Sequence, residues 1–439
     1  MFGRVLVANR GEIAVRVLRT LHELGIDGIA VYSDADANAL HVRQADGAVR
    51  IGESPAPLSY LNPSAVVQAA LDSHCEAVHP GYGFLSENAM FARACEQAGL
   101  AFIGPPPAVL ELTGDKVAAR EAFAGAGFPV LPGGGPYGTG QEALAAVAGI
   151  GYPVMVKAVM GGGGIGMGVA RDDAELAKQV ETASARGARF FADPAVYLER
   201  YVDGARHVEV QVLFDRHREG THLYERECSV QRRHQKVIEE APSPAVDDAL
   251  LERMAIAALE AMRLIGYQVA GTVETILTPK GEFFFLEVNA RLQVEHCVTE
   301  ETCGVDLVEA QVRGASGEPL ASLGLPAGRA GHAIECRVYA EDPDTFLPSP
   351  GTIEKLELPE GVRCDFGYEA GDEVPMFYDP LIGKVVAHAE DRPATIAAMR
   401  SALEALVLEG PKTNIETHLR VLDDDRFVAG DYDTGILGR

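Results

Sequence analysis

The chain has 439 residues, 47% of them hydrophobic, and a formal net charge of −26. That length calls for two or three domains, and the charge argues against nucleic acid or an anionic membrane surface as the main partner, so an anionic substrate must be gripped by a local cluster of Lys, Arg and backbone N–H groups. No segment is long and apolar enough to span a bilayer, the N-terminus lacks the apolar core and cleavage site of a signal peptide, and the seven cysteines are scattered without a C-x-x-C pair, which fits a reducing cytoplasm better than a disulfide framework or a zinc site.

Residues 4–8 (RVLVA) form a short apolar strand, Ile13, Val17, Leu21 and Leu24 recur at helical spacing, and residues 29–32 form a second strand. This β-α-β opening predicts an open α/β sheet. No G-x-G-x-x-G follows the first strand, so the dinucleotide fingerprint is missing and a dehydrogenase is disfavoured. HPGYGFLSEN (79–88) is a glycine-punctuated loop that also reads as a tight strand-to-helix connection, and GPPP (104–107) marks a boundary near residue 110. A helix follows over about 115–124. Lys116 lies in its first turn, where the helix dipole favours an anion rather than a cation, and hints at an anionic ligand.

Residues 133–202 form a small α+β unit. Its strand 152–158 carries Lys157 and leads into a glycine-rich loop containing Gly162, Gly163, Gly164, Gly166 and Met167, before a short strand at 169–170. Consecutive glycines let N–H groups converge on phosphate oxygens, and a neighbouring lysine adds full charge. No Gly-Lys-Ser/Thr closes the loop, so it is not a P-loop of the Walker type. Residues 198–202 (LERYV) read as the connection back to the main body. Residues 207–214 alternate Val208, Val210, Val212 and Phe214 with His207, Glu209 and Gln211, a half-buried strand with a polar working face. Residues 227–236 (ECSVQRRHQK) concentrate positive charge in an otherwise acidic protein. Helices are expected over 247–265, 302–312 and 394–408, and the chain turns strand-rich after Pro326, with Glu335, Arg337 and Tyr339 on one strand face.

The most informative stretch is residues 270–296. Residues 270–277 read as a strand, TPKG (278–281) as a turn and the segment from Glu282 as the returning strand. Closing that turn sets Leu277 opposite Glu282 and leaves Glu274 diagonal to Glu287, about 7 Å away on one face. Two acids so placed repel each other unless a cation sits between them, and Mg²⁺ brought by a nucleotide suits carboxylate-plus-phosphate ligation. Glu287, Asn289, Arg291, Gln293 and Glu295 alternate beyond it; the parity argument is firm for Glu274, Glu287 and Asn289, while Arg291 onward is free to leave the sheet as a loop.

A lysine beside a glycine flap, a second lysine at a helix start, paired acids on a hairpin and a basic cluster describe ATP-grasp chemistry. The chain resembles the biotin carboxylases over nearly its full length, through HPGYGFLSEN (79–88), GDK (114–116), GGGGIGM (161–167), RHVEVQV (206–212), ERECSVQRRHQKVIEEAPSP (225–244), FLEVNARLQVEH (285–296), ECRVYAEDP (335–343) and FLPSPG (346–351). The resemblance implies an N-terminal open α/β domain (1–113), an ATP-grasp domain (114–330) with a mobile lid (133–202), and a C-terminal biotin carboxylase domain (331–439). It implies that ATP phosphorylates bicarbonate to carboxyphosphate, whose carboxyl group passes to N1′ of biotin on a carrier protein, and that a carboxyltransferase and a second copy of the chain are partners.

Carried onto matching residues, the resemblance has Lys116, Lys157 and the glycine loop bind phosphates, Glu199 and the Val202 backbone bind adenine, and His207, Gln231 and His234 line the nucleotide site. Glu274, Glu287 and Asn289 would hold Mg²⁺ or Mn²⁺. Arg291, Gln293 and the Val294 backbone would hold bicarbonate with Lys236, Glu295 would be its general base, and Arg337 would stabilise the biotin enolate. Two positions depart from the pattern: many biotin carboxylases have Arg or Lys at Ile165 and proline at Cys297. The GGGGIGM form, with SDADANALHV (33–42), looks more like the urea carboxylase branch. A different ATP-grasp ligase that carboxylates or acylates an amine, and a catalytically silent nucleotide-binding scaffold, are the competing readings.

Overall fold

The computed structural model describes residues 1–159, 167–191 and 193–438. The predicted phosphate-binding glycines Gly162, Gly163, Gly164 and Gly166, and the departure at Ile165, lie outside the described residues.

The N-terminal part is a five-stranded parallel sheet of β1 (Arg4–Val7), β2 (Asp27–Ser33), β3 (Gly47–Gly52), β4 (Ala77–His79) and β5 (Ala101–Phe102), in the order β3-β2-β1-β4-β5. Val5, Leu6 and Val7 are all fully buried. A strand apolar at every position needs cover on both faces, which a parallel sheet with crossover helices provides. The helix Gly11–Glu23 covers one face with Ile13, Val17, Leu18 and Leu21.

The next unit is a four-stranded sheet of β6 (Gly133–Tyr137), β7 (Val154–Ala158), β8 (Gly168–Ala170) and β9 (Val196–Arg200), ordered β6-β9-β7-β8. It has a core of its own, including Val154, Val156, Leu176, Val180, Val196 and Leu198. The segment expected to be a connection is therefore largely a strand: β9 pairs with β6 on one side and β7 on the other, and only the residues after Arg200 leave the unit.

The largest sheet has eight strands. β10 (Arg206–Phe214), β11 (Gly220–Arg232), β12 (Gln235–Ala241), β13 (Val269–Leu277) and β14 (Phe283–Asn289) come from the central part, and β15 (His332–Tyr339) follows them. Two small ribbons, β16 (Gly351–Thr352) with β19 (Glu373–Val374) and β17 (Lys355–Glu357) with β21 (Val407–Glu409), flank β18 (Arg363–Phe366) and β20 (Leu381–Ala389). The order β14-β13-β10-β11-β12-β15-β20-β18 makes one continuous sheet of the central and C-terminal parts. β10 was expected to be half-buried. Flanked by β11 and β13, it instead buries every residue from His207 to Phe214, polar face included.

Two further expectations change. The helix predicted over 302–312 is two helices, His296–Cys303 and Leu307–Ala315, broken by Gly304 at φ +66, where glycine is favoured. Asp306 then caps the second helix by accepting from the Glu309 N–H.

In the hairpin β13-β14, Thr278 N–H donates to the Glu282 carbonyl and Gly281 has φ +75, so the turn is Pro279-Lys280-Gly281. Leu277 pairs with Phe283 rather than Glu282, and a bulge between Phe285 and Glu287 adds one more residue of offset. Glu274 consequently lies directly opposite Glu287, not diagonal to it.

Candidate active site

The register builds a row of three acids across three strands, because Glu209 on β10 pairs with Glu274 on β13 and Glu274 pairs with Glu287 on β14. Lys236, at the start of β12, reaches over the row: its Nζ lies 2.7 Å from Glu209 Oε2, Glu274 Oε1 and Glu295 Oε1. One ammonium among three carboxylates uses all three of its donors. Burial alone would raise Glu274, yet Lys236 and His207 hold its carboxyl below the ordinary carboxylate range. The hairpin that brings Lys236 there turns at Arg233 and His234, both at positive φ (49° and 70°) without being glycine. Such strain persists where the surrounding structure fixes it, commonly at functional sites.

The extended face ends at Asn289. Arg291 to Glu295 leave the sheet as a loop, and Glu295 sits at the N-terminal cap of the helix His296–Cys303. Arg291 organises the loop: Nε donates to Glu87 Oε2 at 3.0 Å, Nη1 to Gln293 Oε1 at 2.9 Å and Nη2 to Asn289 Oδ1 at 2.9 Å. Gln293 Nε2 in turn donates to Glu274 Oε1 at 3.1 Å. Glu295, fully buried, holds Lys236 on one oxygen and Arg337 Nη2 on the other at 2.8 Å. Burial would raise its carboxyl, but Lys236, Arg337 and Arg226 keep it well below the usual range.

The two lysines that the resemblance assigns to phosphates lie on separate elements. Lys116 is the first residue of the helix Lys116–Gly125, whose cap is Asp115. Burial lowers its ammonium pKa, opposed by nearby Glu287 and reinforced by Lys157. Lys157 on β7 donates to Glu199 Oε2 on β9 at 2.5 Å. His207 Nε2 lies 3.0 Å from Glu274 Oε2, and Gln231 Nε2 contacts His207 Nδ1 at 2.9 Å. Burial, with Lys157 and His207 nearby, lowers the His234 imidazole. Val202 lies just beyond β9, and Met167 immediately precedes β8.

Among the described residues, the Glu287 side chain has no hydrogen-bond or ion-pair partner, while burial and the facing Glu274 push its carboxyl upward. Glu274 has Lys236 and Gln293 on Oε1 and only His207 on Oε2, so an ionised carboxylate with about four acceptor sites still has room for a cation. A hard, oxygen-liganded cation would give Glu287 the partner it lacks, so the donor set fits Mg²⁺ or Mn²⁺ shared with phosphate oxygens.

Several site-building residues were not singled out from the sequence. Glu209 lay on the alternating face of β10 but without a partner to give it a role. Arg226, fully buried, binds Glu209 at 2.6 Å, Gln211 at 2.7 Å and Thr299 at 3.0 Å, tying β10 and β11 to the helix behind Glu295. Glu87, in the loop that reads equally as a plain connection, holds the Ala290 N–H as well as Arg291. Glu239 and Glu335 pair across β12 and β15, both fully buried, and Glu239 binds Arg337. Only the three-dimensional register brings these together; the available signal was charge on strand-like segments for Glu209 and Glu335, and none for the loop residue Glu87.

Residues 1–110 match the family model "Biotin carboxylase, N-terminal domain", residues 115–323 "Carbamoyl-phosphate synthase L chain, ATP binding domain" and residues 335–439 "Biotin carboxylase C-terminal domain". The chain is 47% identical over 440 aligned positions to the biotin carboxylase of Halalkalibacterium halodurans, covering 100% of this chain and 97% of that protein. Its structure is similar to a biotin carboxylase complex from Campylobacter jejuni (TM-score 0.97, 42% identity, 100% of this chain and 98% of that one). It is also similar to the biotin carboxylase domain dimer of the Hydrogenobacter thermophilus 2-oxoglutarate carboxylase, solved with MgADP, ADP and bicarbonate (TM-score 0.96, 43% identity, 100% and 97% coverage). With three family models spanning most of its length and full-length relatives of this identity, this chain belongs to the biotin carboxylase family.

Proposed function

We propose that the site built by the acid row, the Arg291–Glu295 loop and Arg337 carries out ATP- and bicarbonate-dependent carboxylation of biotin, the first half-reaction of a biotin-dependent carboxylase. The observation that carries this reading is Glu295, a buried carboxylate joined to Lys236 and Arg337 at the end of a loop organised by Arg291. Lys116, Lys157, His207, Gln231 and His234 would face the nucleotide, with the glycine loop and Met167 over its phosphates and Glu199 and Val202 at its base. Glu274, Glu287 and Asn289 would hold Mg²⁺, which when bound offsets the negative charge of the phosphates.

Arg291, Gln293 and the Val294 N–H would hold bicarbonate, an arginine fork suiting a planar oxyanion. A doubly paired carboxylate is a weak base. Bicarbonate competes for the Lys236 charge, which at once raises the proton affinity of Glu295 and lowers that of the substrate. Glu295 then accepts the bicarbonate proton, the freed oxygen attacks the γ-phosphorus, and the bond to the β,γ-bridging oxygen breaks to release ADP and form carboxyphosphate. Cleavage of the carboxyphosphate C–O bond gives CO₂ and phosphate, a stronger base than any carboxylate in the pocket, which takes the N1′ proton of biotin. N1′ attacks CO₂ while Arg337 offsets the charge on the ureido oxygen.

Biotin would arrive on a carrier protein or domain, and a carboxyltransferase partner would set the final acceptor, which the biotinylated protein that co-purifies with the chain would identify. A homodimer is the proposed assembly, testable by light scattering. The activity is tested by measuring ADP release: it requires Mg²⁺ and bicarbonate and rises with free biotin. Release driven by an amine without biotin would overturn the assignment.

A further inference from the structure

Lys384, on β20, is fully buried and is used by none of the steps above. It belongs to the polar face of the sheet. On one side of β15 and β20, Ile334, Cys336, Val338, Val385 and Ala387 pack into the C-terminal core. The opposite side presents a cross-strand row in which Arg337 pairs with Lys384 and Lys384 with Asp365. Two cations side by side in a buried row is a costly arrangement, since like charges on neighbouring strands repel and desolvation adds to the penalty. Each has a separate target on the same short segment. Arg337 Nη2 takes the Glu295 carboxylate at 2.8 Å, and Lys384 Nζ takes the carbonyl of Val294 at 2.8 Å.

The second side of Lys384 faces the N-terminal part. Its Nζ lies 3.5 Å from Glu12 Oε2, on the helix Gly11–Glu23, and Glu12 Oε1 accepts from the Tyr82 hydroxyl. Asn9 holds the carbonyls of Pro80 and Tyr82, so this carboxylate is fixed by the loop that also supplies Glu87 to Arg291. The peptide between Val294 and Glu295 is thus pinned through its carbonyl, while the Glu295 side chain is pinned separately.

We infer that Lys384, held by Glu12, is a positioning residue for bicarbonate: its bond to the Val294 carbonyl fixes the 293–295 loop so that Gln293, the Val294 N–H and Glu295 converge on one oxyanion. This rests on the proposed bicarbonate role of that loop. Neither residue touches the nucleotide side, where Lys116, Lys157 and His234 lie, so the effect is confined to one substrate.

The test is steady-state kinetics of ADP release by wild type, Lys384→Met, Lys384→Arg and Glu12→Gln. Lys384→Met raises the KM for bicarbonate at least about tenfold, the scale of one lost charged hydrogen bond, and leaves the KM for MgATP within about twofold. Lys384→Arg, which keeps a charged donor, restores most of the loss, whereas a purely structural role would let neither variant separate the two substrates. Glu12→Gln produces a smaller bicarbonate-specific rise, and it decides the matter if the Lys384 variants do not fold. An unchanged bicarbonate KM, or equal rises for both substrates, overturns the inference. Absence of bicarbonate-dependent ADP release in the wild type would instead overturn the reading of the site itself.

Discussion

Glu295 has one cation on each oxygen, Lys236 at 2.7 Å and Arg337 at 2.8 Å, and no exposure to solvent. Removing its charge should leave the nucleotide side intact while abolishing the acceptor for the bicarbonate proton. Glu295→Gln is expected to lower turnover by at least ~10²-fold, the scale of a general base, with nucleotide affinity nearly unchanged by calorimetry; near-normal turnover would remove Glu295 from that role. Glu239 behaves in the opposite sense. Burial, against the pull of Arg337, raises its carboxyl from the ordinary 4.5 to about 7. A raised carboxyl contributes stability that is complete below its unfolded value and is lost as pH rises through the folded value, here between about 4.5 and 7. At ~1.4 kcal/mol per pKa unit the loss is on the order of 3 kcal/mol. Glu239→Gln mimics the protonated acid, so urea unfolding should find it more stable relative to wild type at pH 8 than at pH 5. Parallel stabilities at the two pH values would contradict this.

At the scale of elements, the hairpin β11-β12 stores strain in the turn that aims His234 and Lys236. His234 at φ 70 would relax as glycine, and His234→Gly is expected to stabilise the fold by roughly 1 kcal/mol while raising the KM for ATP. A variant that melts higher with unchanged ATP kinetics would detach His234 from the nucleotide site. The hairpin β13-β14 shows how far the sequence carries. Although β13 itself is buried on both faces, the hairpin's strands and paired acids were legible from the strand-forming runs on either side of the TPKG turn and from the polar residue at every second position from Glu287. Its register was not, since Gly281 at φ +75 makes the turn three residues long and the bulge beyond Phe285 adds a second offset. Each offset is one residue, and together they convert a diagonal pair of acids into a facing pair, the geometry that needs a cation between them. The helix expected over 302–312 was misplaced for a similar reason, as its apolar period runs across Gly304 without registering the turn there.

On the scale of the whole molecule, length called for two or three domains and the family resemblance implied three, but the contacts that make the site were not legible. Glu87 reaches Arg291 across 204 residues, and Arg337 reaches Glu295 across the sheet that joins the central and C-terminal parts. Side chains that meet only through tertiary register leave no local signal. The unit at 133–202, with a separate core, is expected to close on nucleotide. Hydrogen exchange with a non-hydrolysable MgATP analogue should slow in β7 and β9 and change little in the N-terminal sheet; identical exchange with and without the analogue would contradict closure. The central claim is that bicarbonate, not water, attacks the γ-phosphorus and is activated by Glu295. The most direct test is turnover of ¹⁸O-bicarbonate with ATP and biotin, followed by mass spectrometry of the inorganic phosphate. Transfer of one ¹⁸O per phosphate, at a rate that falls with Glu295→Gln, is the predicted result; phosphate that carries oxygen from water alone would contradict the account.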